Sequence, residues 1–142
     1  MQFPKIGVAA IILAEKRLLL IRRRGAHGEG TWAVPGGHLD FGESPESCAI
    51  REVREEVGLA VTDPRCIALT NDIFAAEDKH YITIWMRVEC AEASSIIPAV
   101  DEVSEWGWFA LDALPTPLFL PLGNLLNGRD VVFGSAVDFL IS

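Results

Sequence analysis

Ser44-Pro45-Glu46-Ser47-Cys48-Ala49-Ile50-Arg51-Glu52-Val53-Arg54-Glu55-Glu56-Val57-Gly58 is a helix with both of its ends written out. Ser44 can cap the orphan N–H groups, Pro45 fits the first helical position, and Glu46 suits the positive end of the dipole. Gly58 stops the helix because glycine readily takes the left-handed conformation at C′. The spacing therefore predicts a helix over Pro45–Val57. With Glu52 set at zero on a wheel of about 100° per residue, Ala49, Val53, Val57 and Ile50 fall between about 60° and 160° and form the buried stripe. Glu52, Glu55 and Glu56 lie within about 100° of one another beside that stripe, so these carboxylates are not all freely solvated.

Outward from the helix, the chain reads mostly as strands. Residues 6–14 and 17–23 are apolar, β-prone runs separated by Glu15-Lys16, which predicts a hairpin. A glycine-rich stretch (Gly25, Gly28, Gly30) leads into extended Thr31-Trp32-Ala33-Val34, punctuated by Pro35-Gly36-Gly37. Beyond the helix, Arg65 to Phe74 and His80 to Cys90 are expected strands around the turn Ala76-Glu77-Asp78-Lys79. A looser segment, Ala91 to Glu102, precedes another strand at Glu105 to Leu111, and one or two helices are expected after Pro115. Strands on both sides of a central helix, without regular βαβ alternation, predict a mixed sheet sandwiched by helices. The absence of repeats or linker-like stretches predicts one domain over residues 1–142.

Composition narrows the classes. Twelve Lys+Arg against twenty Asp+Glu give a formal charge of −8, which argues against binding a nucleic-acid polymer or an anionic membrane surface. Half of the residues are hydrophobic, and that balance excludes a disordered chain. Cys48, Cys66 and Cys90 are three and far apart, which argues against a disulfide framework. The run Ile6 to Ala14 is far shorter than the ~20 residues that span a bilayer. It is followed by a second apolar run rather than a small-residue cleavage site, so a signal peptide is not expected and the setting is expected to be cytoplasmic.

Segment 40–63 holds Asp40, Glu43, Glu46, Glu52, Glu55, Glu56 and Asp63 against only Arg51 and Arg54. Like charges at helical neighbour spacing repel by a few tenths of a kcal/mol per pair when exposed, and by more in lower dielectric. Two readings follow: a solvated acidic face, or a site in which a hard, oxygen-seeking dication such as Mg²⁺ offsets the repulsion. The glycine-rich turn before the helix, and Arg51 placed to tie the helix back to Glu43, favour the second.

From Gly37, five residues lead to Glu43, seven more to Arg51, and then come Glu52-Val53-Arg54-Glu55-Glu56-Val57-Gly58-Leu59. This resembles the Nudix box with its spacing intact. The likeness extends to Trp32-Ala33-Val34-Pro35-Gly36-Gly37-His38-Leu39 before the box and to Trp106-Gly107-Trp108-Phe109 and Leu114-Pro115 after it, covering most of residues 6–115. It implies an α/β (α+β) fold, the α/β/α sandwich of that family around a central mixed sheet. It also implies a hydrolase that uses Mg²⁺, or Mn²⁺, to cleave a nucleoside diphosphate linked to another group. By that resemblance Glu52 and Glu56 are metal ligands, Glu55 is a third ligand or the base that orients water, and the Gly37 carbonyl is a further donor. A later acid joins them, for which Glu102 is chosen, with Glu105 or Asp101 next. Glu43 and Arg51 pair structurally and Gly58 ends the box. The basic triplet Arg22-Arg23-Arg24 reads either as a solvated strand end or as a phosphate contact, for which Arg23 is chosen, with Gly36 and His38 on the substrate side.

Downstream residues bear on the substrate. The ADP-ribose branch often carries a Pro where this chain has Ile73-Phe74, and the dinucleoside-polyphosphate branch a Tyr before the position of Tyr81. The base-reading Asn of the MutT branch has Thr116-Pro117-Leu118 in its place. The whole looks most like the small nucleoside-triphosphate diphosphatases, which release a monophosphate and pyrophosphate. An ADP-ribose or nucleotide-sugar pyrophosphatase is the alternative, and a non-catalytic nucleotide sensor is the reading from another class. Phe74, Trp85, Phe119 and His38 are candidates to stack on a base, each weighed against plain packing. The apolar tail, Val131-Val132-Phe133 and Phe139-Leu140-Ile141, is expected to cover the core or a second copy of the chain in a homodimer.

Overall fold

The computed structural model describes residues 2–25, 27–93 and 95–135. Its elements run β1 (Lys5–Ala14), β2 (Arg17–Arg23), β3 (Trp32–Ala33), β4 (Gly36–His38), α1 (Pro45–Val57), β5 (Val61–Phe74), a 3-10 turn (Ala75–Glu77), β6 (Lys79–Cys90), β7 (Val103–Ala110), α2 (Leu120–Asn127) and β8 (Val131–Gly134). The main path of the sheet is β3-β2-β1-β6-β5-β8, with β4 paired to β1 and β7 to β2. It is mixed, because β1 and β6 run parallel while the remaining pairs are antiparallel.

The unbroken apolar runs of β1 and β2 have a simple cause: both faces of the sheet are covered. Val8, Ala10, Ile12, Leu19 and Ile21 pack with Ala49, Val53 and Val57 of α1. Ala9, Ile11, Leu18 and Leu20 point the other way, into the layer holding Trp85 and α2 residues Leu122 and Leu125. Helices thus flank a central mixed sheet, in agreement with the expected sandwich. The hairpin also stands where expected, and both turn residues, Glu15 (φ 50°) and Lys16 (φ 64°), have positive φ, the twist that suits a two-residue hairpin.

The helix has the predicted bounds. Ser44 Oγ accepts from Ser47 N–H, and Gly58 (φ 71°) closes the helix by donating its N–H to the Arg54 carbonyl. Its buried face is wider than the predicted stripe, however. Cys48 and Glu56 are buried and Ile50 only half-buried, because the helix settles over β4 as well as the sheet.

Other differences trace to local chemistry. β5 starts at Val61 rather than Arg65, since Pro64 is accommodated at a bulge between Thr62 and Arg65, next to Asp63 at φ 53°. β7 begins at Val103, where its pairing with β2 starts beyond a bulge at Arg22/Arg23. Gly36-Gly37-His38, read as punctuation, forms a strand against Gly7–Ala9. A Cβ on Gly36 would collide with the backbone of Val8 and Ala9, so the close pairing requires glycine. After α2 the chain returns as β8 on the edge of β5, leaving Val132 and Phe133 exposed rather than covering the core. The run 139–141 lies outside the described residues.

Candidate active site

A cavity of about 490 Å³ opens where α1, β4, β6 and the loops before β3 and β7 meet. Glu52, Glu56 and Glu102 line it together with Gly36, Gly37 and Arg23. Most of the expected site residues therefore share one wall system, although they come from four separated parts of the sequence.

Each acid owes its place to a local feature. Glu56 is buried, and its Oε1 accepts from the Gly36 N–H at 2.7 Å. Burial pushes its pKa up to about 8; the Gly36 hydrogen bond and Arg23 oppose that, while the charges of Glu52 and Glu102 add to it. Glu52, whose side chain is 14% exposed, lies against the bare backbone of Gly37, where any Cβ would overlap its carboxylate. Its pKa is raised as well, by burial first, against the pull of Arg51 and with help from Glu55 and Glu102. Glu102 sits on the exposed loop before β7, and its carbonyl accepts from the Arg24 N–H at 2.9 Å.

Glu55 is the member of the trio left outside. It does not line the cavity, its side chain is 56% exposed, and it accepts from Arg51 Nη1 at 3.2 Å. Arg51 grips Glu43 with two parallel bonds, Nε to Oε2 at 2.7 Å and Nη2 to Oε1 at 2.9 Å, and gives Nη1 to Glu52 at 2.8 Å. Asp40 adds a weaker pair at 3.4 Å. The guanidinium brings the Glu43 carboxyl down to about 2, and its own pKa is raised by the same bonds. The fallback acids are elsewhere: Glu105 pairs with Arg22 at 3.0 Å, and neither it nor Asp101 lines the cavity.

Arg23 stands between the acids and a group of rings. Its Nε donates to the His27 carbonyl at 2.9 Å, its guanidinium lies 4.1 Å from the Phe119 ring centroid, and Glu56 and Glu102 act on its charge. Of its neighbours in the triplet, Arg22 is spent on Glu105 and the Gly30 carbonyl, and Arg24 on the Val100 carbonyl. His38 stacks on Tyr81 at 5.6 Å and meets its hydroxyl at 3.1 Å. Phe74 and Phe119 face each other at 5.5 Å on the same cavity. Trp85 touches the cavity too but is buried, its Nε1 donating to Thr70.

Sequence reasoning gave no site role to His27, Tyr81, Lys5, Lys79 or Thr83, which all line the cavity. Lys5, Tyr81, Thr83 and Lys79 come from the paired strands β1 and β6, with Lys5 opposite Tyr81. The period-two side of β6 carrying Tyr81 and Thr83 was the available signal, but which face would border a cavity depends on tertiary packing. Cys48, which received no role, is buried, and its thiol is pushed up to about 12, chiefly by burial.

Among the described residues no three Asp, Glu, His or Cys side chains stand in an arrangement that by itself holds a metal ion. The donor chemistry nonetheless fits a hard dication. Glu52 and Glu56 are both held out of water beside one another, both are penalised as anions by that burial and by Glu102, and their available donors are oxygens. The bare backbone of Gly37 lies against the Glu52 carboxylate and leaves that approach clear.

The sequence matches the NUDIX domain over residues 3–127, and the chain belongs to the Nudix hydrolase family. Among its relatives, the NAD-capped RNA hydrolase NudC of Pseudomonas aeruginosa is 33% identical over 115 residues, covering 80% of this chain and 40% of the relative. The ADP-ribose pyrophosphatase of Methanocaldococcus jannaschii is 30% identical over 120 residues, covering 82% of this chain and 68% of that one. The crystal structure of a MutT NUDIX hydrolase from Burkholderia pseudomallei matches with a TM-score of 0.77 at 32% identity, covering 83% of this chain and 92% of that chain. The matched region spans about 40% of the length of the NudC relatives. No helix among the described residues is long and apolar enough to cross a membrane.

Proposed function

We propose that this chain is a dication-dependent hydrolase of nucleoside diphosphates linked to another group, and that its preferred substrate is a nucleoside or deoxynucleoside triphosphate, cleaved to monophosphate and pyrophosphate. The observation that carries this reading is the single cavity shared by Glu52, Glu56 and Glu102, the cation Arg23 and a group of aromatic rings. Those are the complements of a metal-bound phosphate chain and a base, respectively. The choice of a triphosphate rests on the resemblance around the box and its flanks.

Glu52 and Glu56, with the Gly37 carbonyl, are the residues that would hold Mg²⁺. The chemistry a bound dication supplies is neutralisation of the anhydride's charge and acidification of the water it holds. Glu102 contributes a third carboxylate, as a further ligand or as the acceptor of the attacking water's proton. Arg23 offers Nη1 and Nη2, which meet no acceptor among the described residues, to a phosphate oxygen. Arg51 holds the Asp40–Glu43 loop against α1 so that Glu52 keeps its place.

A second reading, hydrolysis of ADP-ribose, is supported by the Methanocaldococcus relative, two thirds of which this chain covers. The deciding experiment is a panel of nucleoside triphosphates, ADP-ribose and sugar nucleotides with Mg²⁺, with released nucleoside monophosphate and pyrophosphate quantified. Pyrophosphate from a triphosphate supports the first reading, and AMP from ADP-ribose the second. Glu52→Gln and Glu56→Gln are each expected to lower turnover by roughly 10²-fold or more with an unchanged circular-dichroism spectrum. Glu55→Gln is expected to cost less. Tight nucleotide binding without any turnover would replace the enzyme with a nucleotide sensor.

A further inference from the structure

His27 belongs to the glycine-rich loop between β2 and β3, where the sequence marks only a turn. Its side chain is 10% exposed and lines the cavity. Three rings box it: Phe74 edge-on at 4.2 Å, Phe119 edge-on at 5.5 Å, and Tyr81 parallel at 5.8 Å. Nδ1 pairs with the Glu77 carboxylate. Nε2 is buried and meets no hydrogen-bond partner among the described residues. Leaving such an atom unsatisfied forfeits its hydration with nothing in return, so a folded chain that keeps one calls for a reason.

Glu77 decides the character of Nε2. A carboxylate only accepts, so Nδ1 carries the proton of that pair. Burial lowers the imidazole's pKa, against the opposing pull of Glu77, and so favours the neutral ring. Nε2 is then a lone pair on a ring boxed by aromatic side chains. A phosphate oxygen, itself an acceptor, has nothing to give it. A sugar hydroxyl would meet the lone pair but leave the rings idle. A flat heterocycle with an amino group satisfies both.

We propose that His27, with its tautomer set by Glu77, is a specificity-determining residue that accepts a hydrogen bond from the amino group of a nucleobase seated among Phe74, Tyr81 and Phe119. The inference rests on the nucleotide reading above and names the part of the nucleotide that this loop recognises.

The test compares ligands differing only by that amino group. Calorimetry with Mg²⁺ present measures the affinities of AMP against purine riboside monophosphate, and of GMP against IMP. The full chain is expected to prefer the amino-bearing member of at least one pair by tenfold or more. His27→Phe keeps an aromatic ring but removes the acceptor, and should bring that preference within twofold. Glu77→Ala, at a side chain 45% exposed, should erode the preference without unfolding the protein, and keeps the idea testable if His27→Phe folds poorly. ¹⁵N NMR of the wild-type imidazole should show Nε2 as the unprotonated nitrogen, shifting when the amino-bearing ligand binds. A preference absent from the wild type, or intact in the folded variants, overturns the proposal, as does failure to bind any of the four nucleotides. Because these are binding measurements, they separate from turnover: discrimination without hydrolysis sinks the enzyme reading alone, and hydrolysis with discrimination indifferent to His27 sinks this one alone.

Discussion

Glu56 is an acid folded into a place that disfavours its charge. Its pKa in the native protein is about 8, against 4.5 for an ordinary glutamate, so between those values the folded chain holds a proton that the unfolded chain has released. Stability contributed by the neutral carboxyl is therefore complete below about pH 4.5 and lost as pH rises to about 8. Chelator-treated protein is expected to melt progressively lower across that window, by an amount on the order of a few kcal/mol in total. Glu56→Gln should flatten the slope and raise the melting temperature at pH 8 without metal. Thermal melts in EDTA from pH 5 to 9 check both, and a melting temperature that climbs with pH in parallel for both proteins would refute the argument. Glu43 runs the opposite way: Arg51 holds its carboxyl at about 2, so its contribution is present above about pH 4.5 and fades on acidification towards pH 2.

At the scale of elements, α1 was readable because its signals are local: a serine cap, a proline at the first turn, a left-handed glycine stop and a 3.6-residue rhythm. The Arg51–Glu43 pair was readable for a related reason, since it ties the helix to the loop just before it. β4 was not, because Gly36-Gly37 resembles a turn until Val8 and Ala9 of β1 come against it. β8 was hidden likewise, being an edge strand defined by a partner, Leu69, more than sixty residues earlier. The fork of Arg51 yields its own prediction. Arg51→Lys keeps the charge but cannot form two parallel bonds to Glu43 while reaching Glu52. Turnover should fall by roughly 10- to 100-fold through misplacement of Glu52. Hydrogen exchange should quicken in residues 39–43, and unchanged exchange there would refute the positioning role.

For the molecule as a whole, the layers are joined by a buried polar knot. Asp72 is fully buried; Oδ2 accepts from Thr70 at 3.0 Å and Thr83 at 2.5 Å, and Oδ1 accepts from Asn124 at 2.9 Å. The knot links β5, β6 and α2. Asp72→Ala strands those donors and should cost about 2–4 kcal/mol, a fall of roughly 5–15 °C in melting temperature. A loss below about 1 kcal/mol would show that water replaces the carboxylate. The roles of Asp72 and Tyr81 were hidden in the sequence because a strand pattern does not reveal which of its polar residues will meet across layers, and that of His27 because a glycine-rich loop does not show which rings it will fold against. The cavity above this knot is lopsided: acids along α1, rings around His27, and Arg23 between. On the proposed reading, such a shape would seat a nucleotide one way round and work as a ruler. An inorganic polyphosphate chain, rich in anhydrides but with nothing flat to lodge among the rings, is then expected to be cut far more slowly than a nucleotide, which phosphate release with Mg²⁺ present checks.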